Sequence, residues 1–444
     1  MGEAAVATRS QLGATAVELL QRLIRIDTTN PPGRERAAQE MLRDELGGVG
    51  FECELVGRAP ERPNLVARLG GDAAGPTLCL LGHSDTVLAD PAEWSRDPWC
   101  GDVVDGEVWG RGALDMKGQV AAEVAAAVAL AASGWKPARG ELLVVVTADE
   151  ERGAAYGAKW LCQERPELVR SDLVVNEGGG VALERDGRRL YTVALGEKGV
   201  FRLTLRTRGR AGHGSLPRIG DNALLKLAPL LERLRTQPDY EATPEGVAFL
   251  SAMLGEQVAA DHDSLAAALE RLAADDPAAA AFIAEPILGI TLTPTMAEAS
   301  HKENVIPSRA ELFVDCRVPP ERDEDFVRER VEAVLGDDGY EIEFASRIVG
   351  NRSEADTELW TAIESWLADA DPGAGLVPMV MPGFSDSHWF REAFGATVYG
   401  FCPHRAMTLA QLAPLIHGAD ERVATADLEL SAGFFADLPA RLLG

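Results

Sequence analysis

No two cysteines in this sequence are spaced C-x-x-C. The six (Cys53, Cys79, Cys100, Cys162, Cys316 and Cys402) are scattered along 444 residues. That excludes zinc-finger spacing. A chain of this length also buries a core without disulfide staples, so the thiols are expected to be reduced and the protein cytoplasmic. Basic residues are scarce, with 43 Lys+Arg against 70 Asp+Glu and a formal charge of −27. Nucleic acids and anionic membranes bind a basic footprint, so neither is an expected partner. Runs of about 18 uninterrupted apolar residues are missing, and with them any transmembrane helix. The Ala-rich stretch 120–132 carries Glu123 and reads as a buried helix. The first residues, MGEAAVATRSQLGATAVELLQRLIRI, hold early acids and no apolar leader or cleavage site, and read as an amphipathic helix. Also missing are the G-x-S-x-G elbow of serine hydrolases, the HExxH of helical zinc proteases and a Walker loop.

What is present is an ordinary globular composition, 46% apolar and 25% charged, long enough for two or three domains. Near-continuous apolar runs at TLCLLGH (77–83), ELLVVVTADEE (141–151) and SDLVVNEGGG (171–180) alternate with helical patterns at 119–133 and 154–164. Strands buried on both faces and separated by helices predict a doubly wound, mainly parallel α/β sheet. After residue 196 the pattern changes. FRLTLRTRGR (201–210), ILGITLTPTM, AELFVDCRV and YEIEFA alternate as half-buried strands, with helices at 221–236 and 323–336. These predict an α+β layer inserted into the first domain. The expected division is 1–196, then 197–350 with a helical insertion at about 240–285, then 351–444 returning to the α/β style.

Chemistry gathers at the ends of the first-half strands. His83 and Asp85 follow the first, Asp149, Glu150 and Glu151 the second, and Glu177 the third, while Asp115 precedes the helix at 119. Ligands of open α/β sheets bind at the carboxyl ends of the strands. A single acid there is usually a helix cap or a solvated loop residue. Several carboxylates with a histidine repel one another unless a cation neutralises them, and such a set suits zinc or a similar divalent ion. The triple glycine 178–180 is a weak phosphate-loop signal, since no lysine follows it.

The ordered pieces GHSDTV (82–87), GRGALDMKG (110–118), TADEE (147–151), NEGG (176–179), AGHGSLP (211–217), NVIP (304–307), DCRVP (315–319) and IHGADERV (416–423) span nearly the whole chain. In these the chain resembles the zinc aminoacylase/carboxypeptidase family that includes acetylornithine deacetylase, succinyl-diaminopimelate desuccinylase and carboxypeptidase S. The insertion at 240–285 leans toward the carboxypeptidase S-like branch. The resemblance implies two Zn2+ per chain, with Co2+ or Mn2+ as alternatives. His83 and Glu177 would hold one ion, Glu151 and His417 the other, and Asp115, before a cis peptide to Met116, would bridge them. It implies that Asp85 hydrogen-bonds the His83 imidazole, and that Glu150 is the general base, pointing away from the metal of Glu151 on an extended backbone. His213 would be an oxyanion donor on a lid, which in dimeric members reaches the neighbouring subunit. Asn304 and Arg317 would face the substrate, Arg317 gripping a carboxylate, with Ser385, Asp386 and Arg391 lining the same site.

The expected reaction is hydrolysis of the amide of an N-acyl amino acid or small peptide with a free carboxylate, in a chain able to form a homodimer through the lid domain. A dipeptidase or carboxypeptidase is the alternative within the class. An inactive metal-binding interaction protein is the alternative outside it, opposed by the intact ligands and Glu150.

Overall fold

The computed structural model describes residues 7–337 and 339–444. The chain forms two compact units. One runs to Gly196 and resumes over Arg352–Met379 and Ser385–Gly444, and the other comprises Glu197–Asn351 and Val380–Phe384.

The first unit is built on a mixed sheet whose strands lie in the order Glu52–Val56, Asn64–Gly70, Glu141–Thr147, Thr77–His83, Leu173–Asn176, Thr397–Gly400, Arg188–Glu197 and Gly375–Met381. Glu141–Thr147, Thr77–His83, Leu173–Asn176 and Thr397–Gly400 run parallel, in a register that pairs His83 with Thr147 and Cys79 with both Leu143 and Val174. The first three of these correspond to the unbroken apolar runs in the sequence, and all four strands are buried on both faces. Antiparallel strands flank them, Asn64–Gly70 on one side and Arg188–Glu197 on the other. Helices Arg9–Ile24, Lys117–Ala132 and Thr425–Leu443 pack on one another. Lys117–Ala132 is almost entirely buried, as an Ala-rich helix without a polar face must be. Trp366 sits at the centre of this core, edge-on to Phe401 at 6.3 Å and to Phe434 at 4.9 Å between ring centroids.

In the second unit, strands Thr291–Glu298, Arg309–Val318, Gly199–Arg208 and Glu341–Ile348 form an antiparallel sheet in that order. Alternation along Arg309–Val318 buries every second residue. Helices Leu227–Arg233 and Glu324–Leu335 supply Leu227, Leu230, Val327 and Val331 to its core. The Ala/Asp/Glu-rich stretch folds as helices Pro244–Leu254 and His262–Asp275 with shorter turns to Leu288. Thr243 and Asp261 cap the two helices by accepting from Gly246 N and Ser264 N.

Several local expectations change. The strand at 141–151 stops at Thr147, because Asp149 adopts φ +66° and Glu150–Arg152 forms a 3₁₀ turn. The helix at 221–236 shortens to a 3₁₀ turn, Leu224–Lys226, followed by Leu227–Arg233.

Removing the central aromatic tests the core directly. Trp366→Ala should destabilise the protein by about 3–5 kcal/mol, whereas Leu231→Ala, at a side chain 41% exposed, should stay within about 0.5 kcal/mol. Unfolding midpoints of the two variants against wild type check both.

Candidate metal centre

His83 ends its strand, so its ring stands at the carboxyl edge of the parallel strands, 1% exposed. Its Nδ1 faces the main-chain carbonyl of Asp85 at 3.0 Å, which directs Nε2 outward to the carboxylates. Around Nε2 lie Asp115 Oδ1 at 3.1 Å, Glu177 Oε1 at 3.8 Å and Glu150 Oε2 at 3.9 Å. On the far side of Asp115, His417 Nε2 is 3.0 Å from Asp115 Oδ2 and 3.3 Å from Glu151 Oε2.

The residues therefore fall into two donor sets that share Asp115. One is His83, Asp115 and Glu177, the other Asp115, Glu151 and His417, and within each set one ligand atom per residue lies within 4.8 Å of the others. Their electrostatics fit a divalent ion. Burial, then Glu177, pushes Glu150 well above the usual carboxylate range, and burial, then Asp115, does the same to Glu177. Burial also raises Glu151, although His417 hydrogen-bonds to it. Burial works against Asp115 too, but hydrogen bonds from His417 and His83 outweigh it and hold that carboxyl below its ordinary range. His417, bonded first to Asp115 and then to Glu151, is pushed up to about 10. Glu151 Oε1 is buried with no hydrogen-bond partner. A carboxylate oxygen left in that state is costly unless a cation takes it.

Local structure explains how the acids are held. The Asp85 carboxylate, expected on the imidazole, lies 3.6 Å from His83 Nδ1. Its oxygens instead accept from Glu150 N at 3.1 Å, Glu151 N at 3.3 Å and Asn30 Nδ2 at 2.8 Å. Asp85 thus fixes the 3₁₀ turn that separates Glu150 from Glu151, while the main-chain carbonyl sets the tautomer of His83. Asp149 at the start of that turn accepts from Asn30 Nδ2 and Arg62 Nη1, and Arg62 also grips buried Glu35. Asp115 stands before a cis peptide to Met116, as the resemblance implied. Gly178 and Gly180 carry φ of +105° and +96°. A Cβ on Gly179 would meet Gly400 O at 2.3 Å. The triple glycine lets the Glu177 loop lie against strand Thr397–Gly400, a packing role rather than a phosphate cradle.

The remaining expected residues divide. Ser385 and Asp386 are buried in the first unit, and Asp386 Oδ2 accepts from Thr147 Oγ1 at 2.6 Å. Asp386 is near enough to the centre to raise both Glu150 and Glu177. Arg391 donates to Val398 O at 2.9 Å and Ser353 Oγ at 3.3 Å, ties that brace its helix to the neighbouring strand. His213, Asn304 and Arg317 belong to the second unit. His213 is exposed and accepts from Ser215 at Nδ1, and the adjacent Gly214 N donates to Asn304 O at 2.8 Å. Arg317 Nε donates to Asp315 Oδ1 at 2.7 Å, and the side chain is 25% exposed. Asn30, Arg62 and Glu35 were missed. NPP, at 30–32, and an arginine in a loop carry no sequence signal of metal chemistry.

No described helix is long and apolar enough to cross a membrane. Residues 79–441 match the family model for peptidase family M20/M25/M40. A succinyl-diaminopimelate desuccinylase of Cereibacter sphaeroides is 27% identical over 93% of this chain and 95% of its own length. One of Thioalkalivibrio sulfidiphilus is 27% identical over 96% and 98%. With a desuccinylase from another Cereibacter sphaeroides strain the match reaches 37% but spans 49% of this chain and only 56% of that relative. Among solved structures, a metallo-carboxypeptidase of Sulfolobus solfataricus superposes with a TM-score of 0.72 at 18% identity, covering 96% of this chain and 99% of that one. The matched family model spans most of the chain and includes every residue of both donor sets, and by it the chain belongs to peptidase family M20/M25/M40, hydrolases of amide and peptide bonds.

Proposed function

We propose that this chain is a dinuclear metal hydrolase, zinc being the expected ion, which releases an amino acid from an N-acyl amino acid or related small substrate bearing a free carboxylate. The observation that carries this reading is the pair of donor sets sharing Asp115. When bound, a pair of divalent ions supplies Lewis-acid chemistry, polarising the scissile carbonyl and acidifying water.

The protein residues do the rest. Glu150 belongs to neither donor set, yet its Oε2 lies 3.9 Å from His83 Nε2. It takes the proton of the attacking water at that oxygen and returns it to the leaving amine nitrogen. Asp85 keeps Glu150 and Glu151 on diverging directions of one turn. Arg317 presents a guanidinium to the substrate carboxylate. It lines a cavity of about 560 Å³ within the second unit, with Lys198, Tyr240, His262 and Thr291. His213 is the oxyanion donor, and Asn304 and Ser385 orient the substrate. The desuccinylase relatives support acyl-group removal over peptide cleavage. Homodimerisation through the second unit fits strand Thr291–Glu298, a sheet edge whose residues Thr293–Glu298 are exposed apart from pairing on one side. The composition and the free thiols suit a cytoplasmic setting.

Three outcomes test the reading. Dialysis against a chelator should abolish turnover and lower the melting temperature, and two equivalents of zinc should restore both. Ligand at about 100 times its Kd contributes about 2.7 kcal/mol of stability. A protein fully active after metal removal would overturn the assignment. Glu150→Gln should retain both ions by elemental analysis and lose about 10²–10⁴ in kcat; a loss of less than tenfold would remove it as the base. On a panel of N-acetyl, N-succinyl and longer N-acyl amino acids and dipeptides, free or amidated at the carboxylate, cleavage should be confined to free-carboxylate members. Arg317→Ala should raise KM for them by about tenfold or more, and preference for dipeptides would transfer the reading to a peptidase.

A further inference from the structure

Glu421 lies four residues beyond His417 and is fully buried. One oxygen, Oε1, accepts from Leu114 N at 2.7 Å and Asp115 N at 3.0 Å. The other, Oε2, accepts from Gly112 N at 3.0 Å and Arg111 Nη1 at 2.7 Å. Four donors thus converge on one carboxylate, three of them main-chain N–H groups of the loop that ends in Asp115.

Arg111 closes the figure from the other side. Its Nη2 donates to His417 O and to Leu88 O, each at 3.3 Å, and its guanidinium lies over the Trp94 ring at 5.1 Å. The main chains are joined as well, Gly110 N to Glu421 O at 2.9 Å, and Arg422–Ala424 pairs antiparallel with Glu107–Trp109. A buried ion pair by itself says little, since apolar residues of the same volume often serve stability as well. Here both arms of the pair end on ligands of one candidate ion. Glu421 holds the backbone of Asp115, and Arg111 holds the backbone of His417, a residue at φ +59° whose side chain is 53% exposed.

We infer that the Arg111–Glu421 pair is a positioning device for one half of the metal centre, setting the reach between Asp115 and His417 and thereby governing affinity for the ion of Asp115, Glu151 and His417. The ion of His83, Asp115 and Glu177 has only Asp115 in common with this brace and keeps its other two ligands on strand ends. Neither Glu421 nor Arg111 belongs to a donor set, and both are buried. The inference rests on the two-ion reading above.

Glu421→Gln keeps the volume but turns an amide NH₂ toward N–H donors on one side of the carboxylate position. Wild type and variant, each folded by circular dichroism, would be stripped and titrated with Co2+, following visible absorption and competition with a chromogenic chelator. Wild type should take up two equivalents. The variant should take up the first as wild type does and the second about 10–100-fold more weakly, the range seen when groups behind metal ligands are changed. Arg111→Lys retains a cation for Glu421 but not the simultaneous reach to His417 O, and should weaken the same second step. If Glu421→Gln does not fold, Arg111→Lys decides. Unchanged binding of the second ion in the folded variant, or equal weakening of both ions, overturns the inference. A wild type that binds fewer than two ions overturns the two-ion reading instead.

Discussion

Asp115, Glu150, Glu151 and Glu177 crowd around His83 and His417 at one sheet edge, and their mutual repulsion is the constraint to which the surrounding structure answers. Carboxylates brought this close and buried cannot all stay ionised without countercharge. Among the described residues only two imidazoles stand inside the cluster, and one oxygen of Glu151 is left unbonded. Stability elsewhere must cover the cost of that arrangement. The parallel strands do so by burying Val144–Val146, Leu78–Leu81 and Val174–Val175 directly behind the site.

Rigid support is arranged in two separate networks. Behind the His83 side, Asn30, Asp85, Asp149, Arg62 and Glu35 form a chain of buried hydrogen bonds that fixes the turn of the adjacent glutamates. Behind the His417 side, Arg111 and Glu421 link two loops. Each network satisfies main-chain N–H groups that a tight turn would otherwise strand, so positioning the acids and satisfying buried backbone are the same act.

Much of this was legible in the sequence, for identifiable reasons. A strand buried on both faces needs an uninterrupted apolar run, and TLCLLGH and ELLVVVT leave no alternative for the residues that follow them. His417 was different. Spacing could not select it among seven histidines, and only the ordered motifs pointed there. The turn at Glu150–Arg152 was not readable, because it depends on Asp149 taking a left-handed backbone conformation stabilised by Asn30 and Arg62 from distant parts of the chain. Asp85 shows a similar dependence on the fold. The resemblance implied that its carboxylate meets the imidazole, and in the structure that carboxylate lies 3.6 Å from His83 Nδ1 while the main-chain carbonyl of the same residue lies at 3.0 Å. The antiparallel flanks of the sheet were invisible too, since strand direction is set by connections rather than by composition.

The pairing of the Asp115 loop with Glu421 also ties an early part of the chain to a late one. These partners are separated by 306 residues, and His417 comes after every other residue of the two donor sets. The set of His83, Asp115 and Glu177 is complete in the chain just beyond strand Leu173–Asn176. The other set needs the segment before Arg422–Ala424, the strand that pairs with Glu107–Trp109. A polypeptide cut anywhere between Glu177 and His417 therefore keeps every residue of one set and lacks one of the other.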